Sequence, residues 1–286
     1  MLHGVNRRTI LKMLGCTFVG AGAVVGAYGY GSRLEAEWLK VEKLSIPVKQ
    51  LGSSFEGFKI VQMSDFHLYP HTQIELIKRA VNITNSLKPD LITLTGDYVS
   101  GEGSSKSEAI FDLAPVLTKL NAKYGVFTVL GNHEYFTNEK VVLRGLKESG
   151  LTVLINDGLA LSIGQQMLYL AGLDDAWKGN PDLSKALEKR PGSVPTILLV
   201  HEPDFADTYS ADGTVSLQLS GHSHGGQIRL PGMGALVLPR HGRKYVQGLY
   251  RVKDMWVYTT RGIGVIGVPV RLNCRPEITE ITLVRS

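Results

Sequence analysis

The stretch FKIVQMSDFH, residues 58–67, combines a β-branched, apolar run with a polar end. Residues 58–63 have the composition of a buried strand, and the Ser-Asp pair that follows ends this strand in a loop. Asp65 and His67 therefore come directly after a strand, which is where open α/β sheets bind their ligands. The stretch predicts a strand of such a sheet with a polar site at its carboxyl end.

Helix and strand patterns alternate after this first strand. Their order predicts an α/β fold with parallel strands and right-handed crossovers. The predicted elements are a helix at 73–87, a strand at 91–95, a helix near 107–120, a strand at 125–130 and a helix near 138–149.

Short strands dominate the second half of the chain. Residues 246–260 have the pattern of a hairpin that turns at Lys253-Asp254. The alternation of helix and strand in the first half and the hairpins in the second half predict two sheets that share one core in a single domain, residues 58–286. A polar connecting segment, residues 33–57, precedes this domain. The predicted elements are strands at 159–163, 167–172, 195–200, 216–219, 246–251, 255–260 and 277–284, and a helix near 182–189.

The composition excludes several classes of protein. The 286 residues are 43% hydrophobic and 20% charged, which excludes disorder, collagen-like repeats and a multi-span membrane protein. Two cysteines exclude a disulfide scaffold and a cysteine-based zinc site. Three of the five net positive charges lie in residues 1–32, which leaves +2 for residues 33–286. With this small charge and no recognised binding motif, nucleic acid is not an expected partner.

The first 32 residues have the pattern of an export segment. Residues 6–12, NRRTILK, resemble the twin-arginine export signal, and the twenty residues 13–32 carry no charge. No clear Ala-x-Ala site closes this stretch, and its length also fits a single uncleaved anchor. We therefore expect the twin-arginine translocation machinery as a partner and the cell envelope as the location, with residues 1–32 as signal or anchor.

Polar residues suited to metal binding follow five of the predicted strands. Five of the eight histidines lie in these motifs. Carboxylate, imidazole and amide groups without thiolate favour Mn²⁺, Fe or Zn²⁺ over soft metals. The motifs are Asp65-Phe66-His67, Gly96-Asp97, Gly131-Asn132-His133-Glu134, His201-Glu202 and Gly221-His222-Ser223-His224-Gly225-Gly226.

This ordered set of motifs resembles that of the calcineurin-like metallophosphoesterases, from about Lys59 to the C-terminus. With the twin-arginine start and the tracts 199–204 and 221–228, it is similar to the exported, cell-envelope subgroup. The resemblance implies two mixed β-sheets packed as a sandwich flanked by helices, and two divalent metal ions, with Mn²⁺ expected and Zn²⁺ or Fe as alternatives. It implies a first metal held by Asp65, His67, Asp97 and His224, and a second held by Asp97, Asn132, His201 and His222.

The resemblance also implies an activity, the hydrolysis of phosphodiester or phosphomonoester bonds by a metal-activated water. It assigns His133 to phosphate contact and to protonation of the leaving oxygen, a task that imidazole suits. Ser100 departs from the pattern, because some members carry at this position an Asp that supports the histidine. A phosphoester is thus the expected substrate.

Several interpretations stay open at this point. Asp174 and Asp175 belong either to a substrate loop or to a turn, and Arg261 either meets a phosphate or is an exposed loop residue. The basic tract 239–244 either meets an anionic cell-wall polymer or lipid head group, or is a solvated run of charges. Two other functions remain: a pyrophosphate hydrolase acting on a nucleotide-linked lipid or sugar at the membrane, and a non-catalytic wall-binding protein that keeps metals for structure.

Overall fold

The structure, a computed structural model, describes residues 25–286. Its strands are β1 (Lys40–Val48), β2 (Lys59–Met63), β3 (Leu91–Leu94), β4 (Val126–Thr128), β5 (Thr152–Val153), β6 (Asp157–Ile163), β7 (Gln166–Gly172), β8 (Thr196–Leu199), β9 (Val215–Ser220), β10 (Arg229–Leu230), β11 (Gly234–Ala235), β12 (Gly248–Val252), β13 (Met255–Thr259) and β14 (Glu277–Arg285). Its α-helices after residue 33 are Ile74–Ser86, Ile110–Leu117, Asn132–Thr137, Glu139–Glu148, Leu183–Ala186 and Ala206–Tyr209.

The first sheet has the spatial order β1-β14-β2-β3-β4-β5. Strands β2 to β5 are parallel, as the alternation of helix and strand predicts, whereas β14 runs antiparallel to β2. Strand β1 is a correction to the expected connecting segment at 33–57, because it forms the edge of this sheet, parallel to β14. Only Ile46 and Val48 of β1 are buried, so its sequence lacks the apolar run of a central strand.

The second sheet has the spatial order β12-β13-β9-β8-β7-β6. Its central strands β7, β8, β9 and β13 are parallel, and an antiparallel hairpin closes each edge. The predicted hairpin around Lys253-Asp254 is confirmed, since Val252 pairs with Met255. The helix expected near 182–189 is a single turn, Leu183–Ala186. Two mixed sheets are therefore present, as the resemblance implied.

The core lies between the two sheets and under the helices on their outer faces. Side chains of both sheets form the central cluster, with Ile60 and Leu91 from the first sheet and Ile197 and Leu217 from the second, all fully buried. A second cluster joins the first sheet to the three long helices, and a third lies on the outer face of the second sheet. The layers are helix, sheet, sheet and helix, as in an α/β sandwich.

The N-terminal export motif at residues 6–12 lies outside the residues that the structure describes. Residues 25–33 are helical, and Glu35 is buried, where it accepts a hydrogen bond from the Cys274 N–H at 2.6 Å. Within residues 25–286, no helix combines the length and the apolar character needed to cross a membrane.

Candidate metal centre

Five loops bring the predicted metal ligands to one place. These loops follow β2, β3, β4, β8 and β9, so both sheets contribute at the carboxyl ends of their strands, the expected position for a ligand site. The ligand atoms within each of three groups lie less than 4.8 Å apart. The groups are Asp65, His67 and His224; His67, Asp97 and His133; and Asp97, His201 and His222.

The backbone at several of these residues has an uncommon conformation. The φ angle is positive at Asp65, His67, Asp97, His222 and His224, between 43° and 69°. A non-glycine residue in the left-handed region costs on the order of 1 kcal/mol, and such residues concentrate at functional sites. The loops also approach closely: a Cβ atom on the glycine at 131 would lie 2.5 Å from the Asp97 Oδ1 atom, so this position requires glycine.

The first half of the centre comprises Asp65, His67 and His224, which are all buried. The Nε2 atoms of His67 and His224 lie 2.9 Å apart, and the Nε2 of His224 lies 3.4 Å from the Asp65 Oδ1. Two ring nitrogens and a carboxylate oxygen that converge at this spacing fit a shared cation, since metal–nitrogen bonds are about 2.0–2.1 Å long.

The second half comprises Asn132, His201 and His222. The Asn132 Oδ1 is buried and has no hydrogen-bond partner among the described residues. A buried polar atom without a partner is costly unless a ligand satisfies it. The Asp97 Oδ2 lies 3.1 Å from the His201 Nε2 and 3.4 Å from the His67 Nε2, so this oxygen approaches both halves.

Hydrogen bonds fix the orientation of three ligand imidazoles. The His201 Nδ1 donates to the Thr95 carbonyl at 2.6 Å, and the His222 Nε2 donates to the Arg240 carbonyl at 2.7 Å. The Ser100 hydroxyl lies 3.2 Å from the His67 Nδ1. Each bond occupies one ring nitrogen and leaves the other for a metal ion. Ser100 thus contacts a ligand histidine and not His133, a role that the sequence did not indicate.

Burial and neighbouring charges shift the pKa values of the candidate ligands in different directions. Burial, together with the charge of His201, lowers the pKa of His222 to about 3. Burial also lowers the pKa of His67 and His224, so these imidazoles are neutral. Burial opposes ionisation of Asp97, but the charges of His201 and His133 outweigh it and hold the Asp97 pKa well below its usual range. Burial opposes protonation of His201, but the Asp97 and Asp65 charges outweigh it and raise the His201 pKa well above its usual value, so a metal ion at His201 would displace a proton.

Glu134 lies at the site, and the metal-binding pattern of its motif did not indicate a role for it. Its buried carboxylate accepts backbone N–H bonds from Gly131 at 2.7 Å, Asp97 at 3.0 Å and Tyr98 at 2.8 Å. It therefore ties the loop after β3 to the loop after β4. Burial and the Asp97 charge raise the pKa of Glu134 to about 8. A glutamate three residues after a helix N-cap is the local signal that indicates this role.

His133 lies at the boundary between the metal ligands and a cavity. Its backbone N–H donates to the Asp97 Oδ1 at 2.9 Å, while its ring packs 4.7 Å from the ring of His67. The side chain lines the cavity together with Asp97 and Asn132. This position lets the His133 imidazole reach a molecule that occupies the cavity.

Asp174, Asp175 and Arg261 lie apart from this cavity. The Asp174 carboxylate accepts from the backbone N–H groups of Asp175 and Asn180, both at 2.9 Å. Asp175 is fully buried and its carboxylate accepts from the Trp177 N–H at 3.1 Å. The two aspartates thus shape their own loop, which corresponds to the interpretation as a turn.

Arg261 pairs with two carboxylates of the first sheet. Its guanidinium lies 2.7 Å from Glu42 on β1 and 2.7 Å from Glu277 on β14. Among the described residues that line the cavity, neither Arg261 nor the two aspartates appear. These three residues therefore have partners within the protein, and their contact with substrate stays a prediction.

The cavity beside the metal ligands has a volume of about 500 Å³. This size is typical of a ligand site and exceeds the needs of a phosphate group alone. Beyond the ligand residues its walls are mainly apolar. The apolar lining residues are Phe136, Trp177, Ile228, Leu236, Val237, Pro239, Ile266 and Val268.

Comparisons with known proteins agree with this geometry. Residues 58–226 match the family model of the calcineurin-like phosphoesterases. The chain is 38% identical over 282 residues to the metallophosphoesterase YkuE of Bacillus subtilis, covering 98% of both chains. It is 33% identical to the phosphodiesterase YaeI of Escherichia coli, covering 98% of this chain and 100% of that one. A 5'-nucleotidase precursor of Thermus thermophilus shares the fold, with a TM-score of 0.50 and 15% identity over 80% of this chain and 54% of that one.

Proposed function

The chain belongs to the calcineurin-like phosphoesterase family, and we propose that, within this family of metal-dependent phosphoric ester hydrolases, it hydrolyses phosphodiesters at a dinuclear centre. The observation that carries the proposal is the position of Asp97, whose Oδ2 lies within 3.4 Å of imidazole nitrogens from both halves of the centre. Two cations close together need a shared anionic ligand, and Asp97 is placed to be that ligand. The similarity to a relative that is named a phosphodiesterase supports the diester substrate.

The ligand groups divide between two divalent ions. Asp65, His67 and His224 would hold one ion, and Asn132, His201 and His222 the other, with Asp97 shared. When bound, such ions neutralise phosphoryl oxygens and lower the pKa of a water, so that no protein nucleophile is required. The ligand types favour Mn²⁺, with Zn²⁺ or Fe as alternatives.

The residues of the chain supply binding and proton transfer. His133 faces the cavity and is placed to contact a phosphoryl oxygen and to give a proton to the leaving oxygen. Glu134 and Ser100 hold the loop of Asp97 and the ring of His67, so the ligands are oriented before substrate arrives. The phosphate of the substrate lies over the ligands, and its ester groups extend into the cavity.

Removal of metal is expected to abolish the activity. Dialysis against EDTA should lower the rate on bis(p-nitrophenyl) phosphate by more than about 100-fold, because several kcal/mol of transition-state stabilisation are lost with the ions. Addition of Mn²⁺ should restore the rate, and the diester should be cleaved faster than p-nitrophenyl phosphate.

The control for this experiment is protein dialysed in parallel without chelator. A stripped protein that keeps its rate contradicts a metal-dependent reaction, and faster cleavage of the monoester contradicts the diesterase assignment. A non-catalytic wall-binding protein would show no turnover in any metal-loaded sample.

We also propose that the protein is exported to the cell envelope by the twin-arginine translocation machinery, on the strength of the motif at residues 6–12. Arg240 and Arg243 of the basic tract 239–244 are exposed, which favours association with an anionic wall polymer or membrane surface. The side chain of Lys244, in contrast, pairs with Asp207 at 2.7 Å.

The substitution of both Arg7 and Arg8 by lysine is expected to retain the protein in the cytoplasm, because the paired guanidinium groups are the mark of this signal. Fractionation and immunoblotting measure the exported fraction. The matched control is Arg33→Lys, which lies outside the motif and should export normally. Normal export of the doubly substituted protein would contradict the proposed route.

A further inference from the structure

The walls of the cavity offer few free hydrogen-bonding side chains to a sugar or a nucleobase. Beyond the candidate ligands, His133 and the Trp177 indole, the described residues of the lining include two polar side chains, and both are already engaged. Gln227 donates to the carbonyls of Ile266 and Val268 at 3.0 and 2.7 Å and accepts from the Ile266 N–H at 2.9 Å. The Ser223 hydroxyl donates to the Val246 carbonyl at 2.5 Å and accepts from the Gly225 N–H at 3.1 Å. The surface that remains for contact is mainly apolar.

The apolar wall begins directly at the metal ligands. The ring of Phe136 lies 5.3 Å from the ring of His133, and the ring of Trp177 lies 5.5 Å from that of Phe136. Trp177 in turn lies 6.0 Å from the ring of the ligand His222. An ester group attached to a phosphorus atom over the ligands therefore meets aromatic side chains at once.

Another part of the lining carries its apolar character out to the surface. Leu236, Val237 and Val268 line the cavity and are also 52%, 77% and 53% exposed. Met233, in the turn between β10 and β11, is also 74% exposed. Single exposed hydrophobic residues are common, but a group of them at the mouth of a cavity marks a contact with an apolar ligand or a membrane.

The described N-terminal residues contact the loop that follows the cavity rim. The Arg271 N–H donates to the Gly31 carbonyl at 3.1 Å, and a Cβ on Gly31 would lie 2.6 Å from the Val270 side chain. Residues 266–268, which form part of the cavity rim, come just before this contact. Val25 and Tyr28, on the helical residues 25–33, are 71% and 53% exposed. Residues 266–271 thus connect the cavity rim to a helix with exposed apolar residues, which suits a protein that acts at a lipid surface.

We propose that the substrate is a phosphodiester with an alkyl or acyl chain, which lies in the apolar cavity while the phosphoryl group lies at the metal ligands. The proposal rests on the proposed phosphodiesterase function and names its substrate class. The exposed Arg240 and Arg243, which follow the cavity residue Pro239 closely in sequence, suit an anionic lipid surface at the mouth.

A pair of p-nitrophenyl phosphodiesters tests the proposal, one with a methyl and one with an octyl group as the second ester. In each case hydrolysis adds water across the phosphorus–oxygen bond of the nitrophenyl ester and releases p-nitrophenolate and the alkyl phosphate. Leaving group and chromophore are therefore the same. Below the critical micelle concentration, kcat/KM should be about 100-fold higher for the octyl ester, because its additional methylenes are buried.

Equal kcat/KM values for the two esters would overturn the proposal and leave the phosphodiesterase function intact. If metal-loaded protein hydrolyses neither ester, the phosphodiesterase function is overturned, and the proposal with it. The two failures are therefore distinguishable.

Substitutions at the rim locate the binding surface. Val237→Ser combined with Val268→Ser should lower the octyl-to-methyl ratio of kcat/KM by about tenfold, since two apolar contacts are lost. Both side chains are exposed, so the substitutions leave the core intact. The control is Leu249→Ser on β12, a residue of similar type that is 37% exposed and should keep the ratio. If the double variant keeps the wild-type octyl-to-methyl ratio of kcat/KM, the alkyl chain of the substrate does not bind at this rim, and the proposal is overturned.

Discussion

Asp97→Ala is expected to lower kcat/KM on bis(p-nitrophenyl) phosphate by more than about 1000-fold. The Asp97 carboxylate lies between His67 and His201 and approaches an imidazole nitrogen of each. Its loss removes the anion that both halves of the centre share and leaves buried imidazoles facing one another. Steady-state kinetics on protein reconstituted with Mn²⁺ measures the effect.

Two further variants make this result specific. Asp97→Asn keeps the shape of the side chain and an oxygen for the His133 N–H, but removes the negative charge, and should fall between wild type and Asp97→Ala. Asp112→Ala replaces an exposed aspartate on the helix Ile110–Leu117 and should keep the wild-type rate. Wild-type activity of Asp97→Ala would refute the assignment of the centre.

His133→Ala is expected to lower kcat by about 100- to 1000-fold while the metal content stays at the wild-type level. The His133 backbone N–H contacts Asp97, but its side chain faces the cavity, so truncation removes a group that meets substrate. The loss should be larger for a phenyl ester than for a p-nitrophenyl ester, because the poorer leaving group depends more on protonation. Kinetics with both esters measure this difference.

The matched control for His133→Ala is His71→Ala, an exposed histidine outside the metal-binding motifs, which should keep the wild-type rate. A loss of metal in His133→Ala that parallels the loss of rate would contradict the proposed role. The residue would then act as a ligand, as its nearness to His67 and Asp97 also permits.

The strands that carry the site were predictable because each couples a buried apolar run to a polar motif. The run at 58–63 and the motif Asp65-Phe66-His67 lie within ten residues of each other, so local sequence contains both signals. Strand β1 has no such signal. Its pairing joins Lys40 to Glu277, far apart in the chain, and its exposed face carries charged residues. Edge strands of this kind are stabilised by tertiary contacts that local patterns do not contain.

The residues that cluster at the candidate metal centre were predictable, whereas the groups that orient them were largely not. Ser100 meets the ring of His67 only because the loops after β2 and β3 lie side by side. The Arg240 group that fixes His222 is a backbone carbonyl, which residue type does not indicate. Arg261 has the chemistry of a phosphate ligand, but its position opposite Glu42 and Glu277 depends on the pairing of β1 with β14.

The metal content of purified protein tests the central claim most directly. After reconstitution with Mn²⁺ and removal of free metal, mass spectrometry of the metals should find about two ions per chain in the wild type and fewer than about one in Asp97→Ala. A wild-type protein that binds no metal, or that binds one ion and keeps it in Asp97→Ala, would contradict a dinuclear centre built around Asp97.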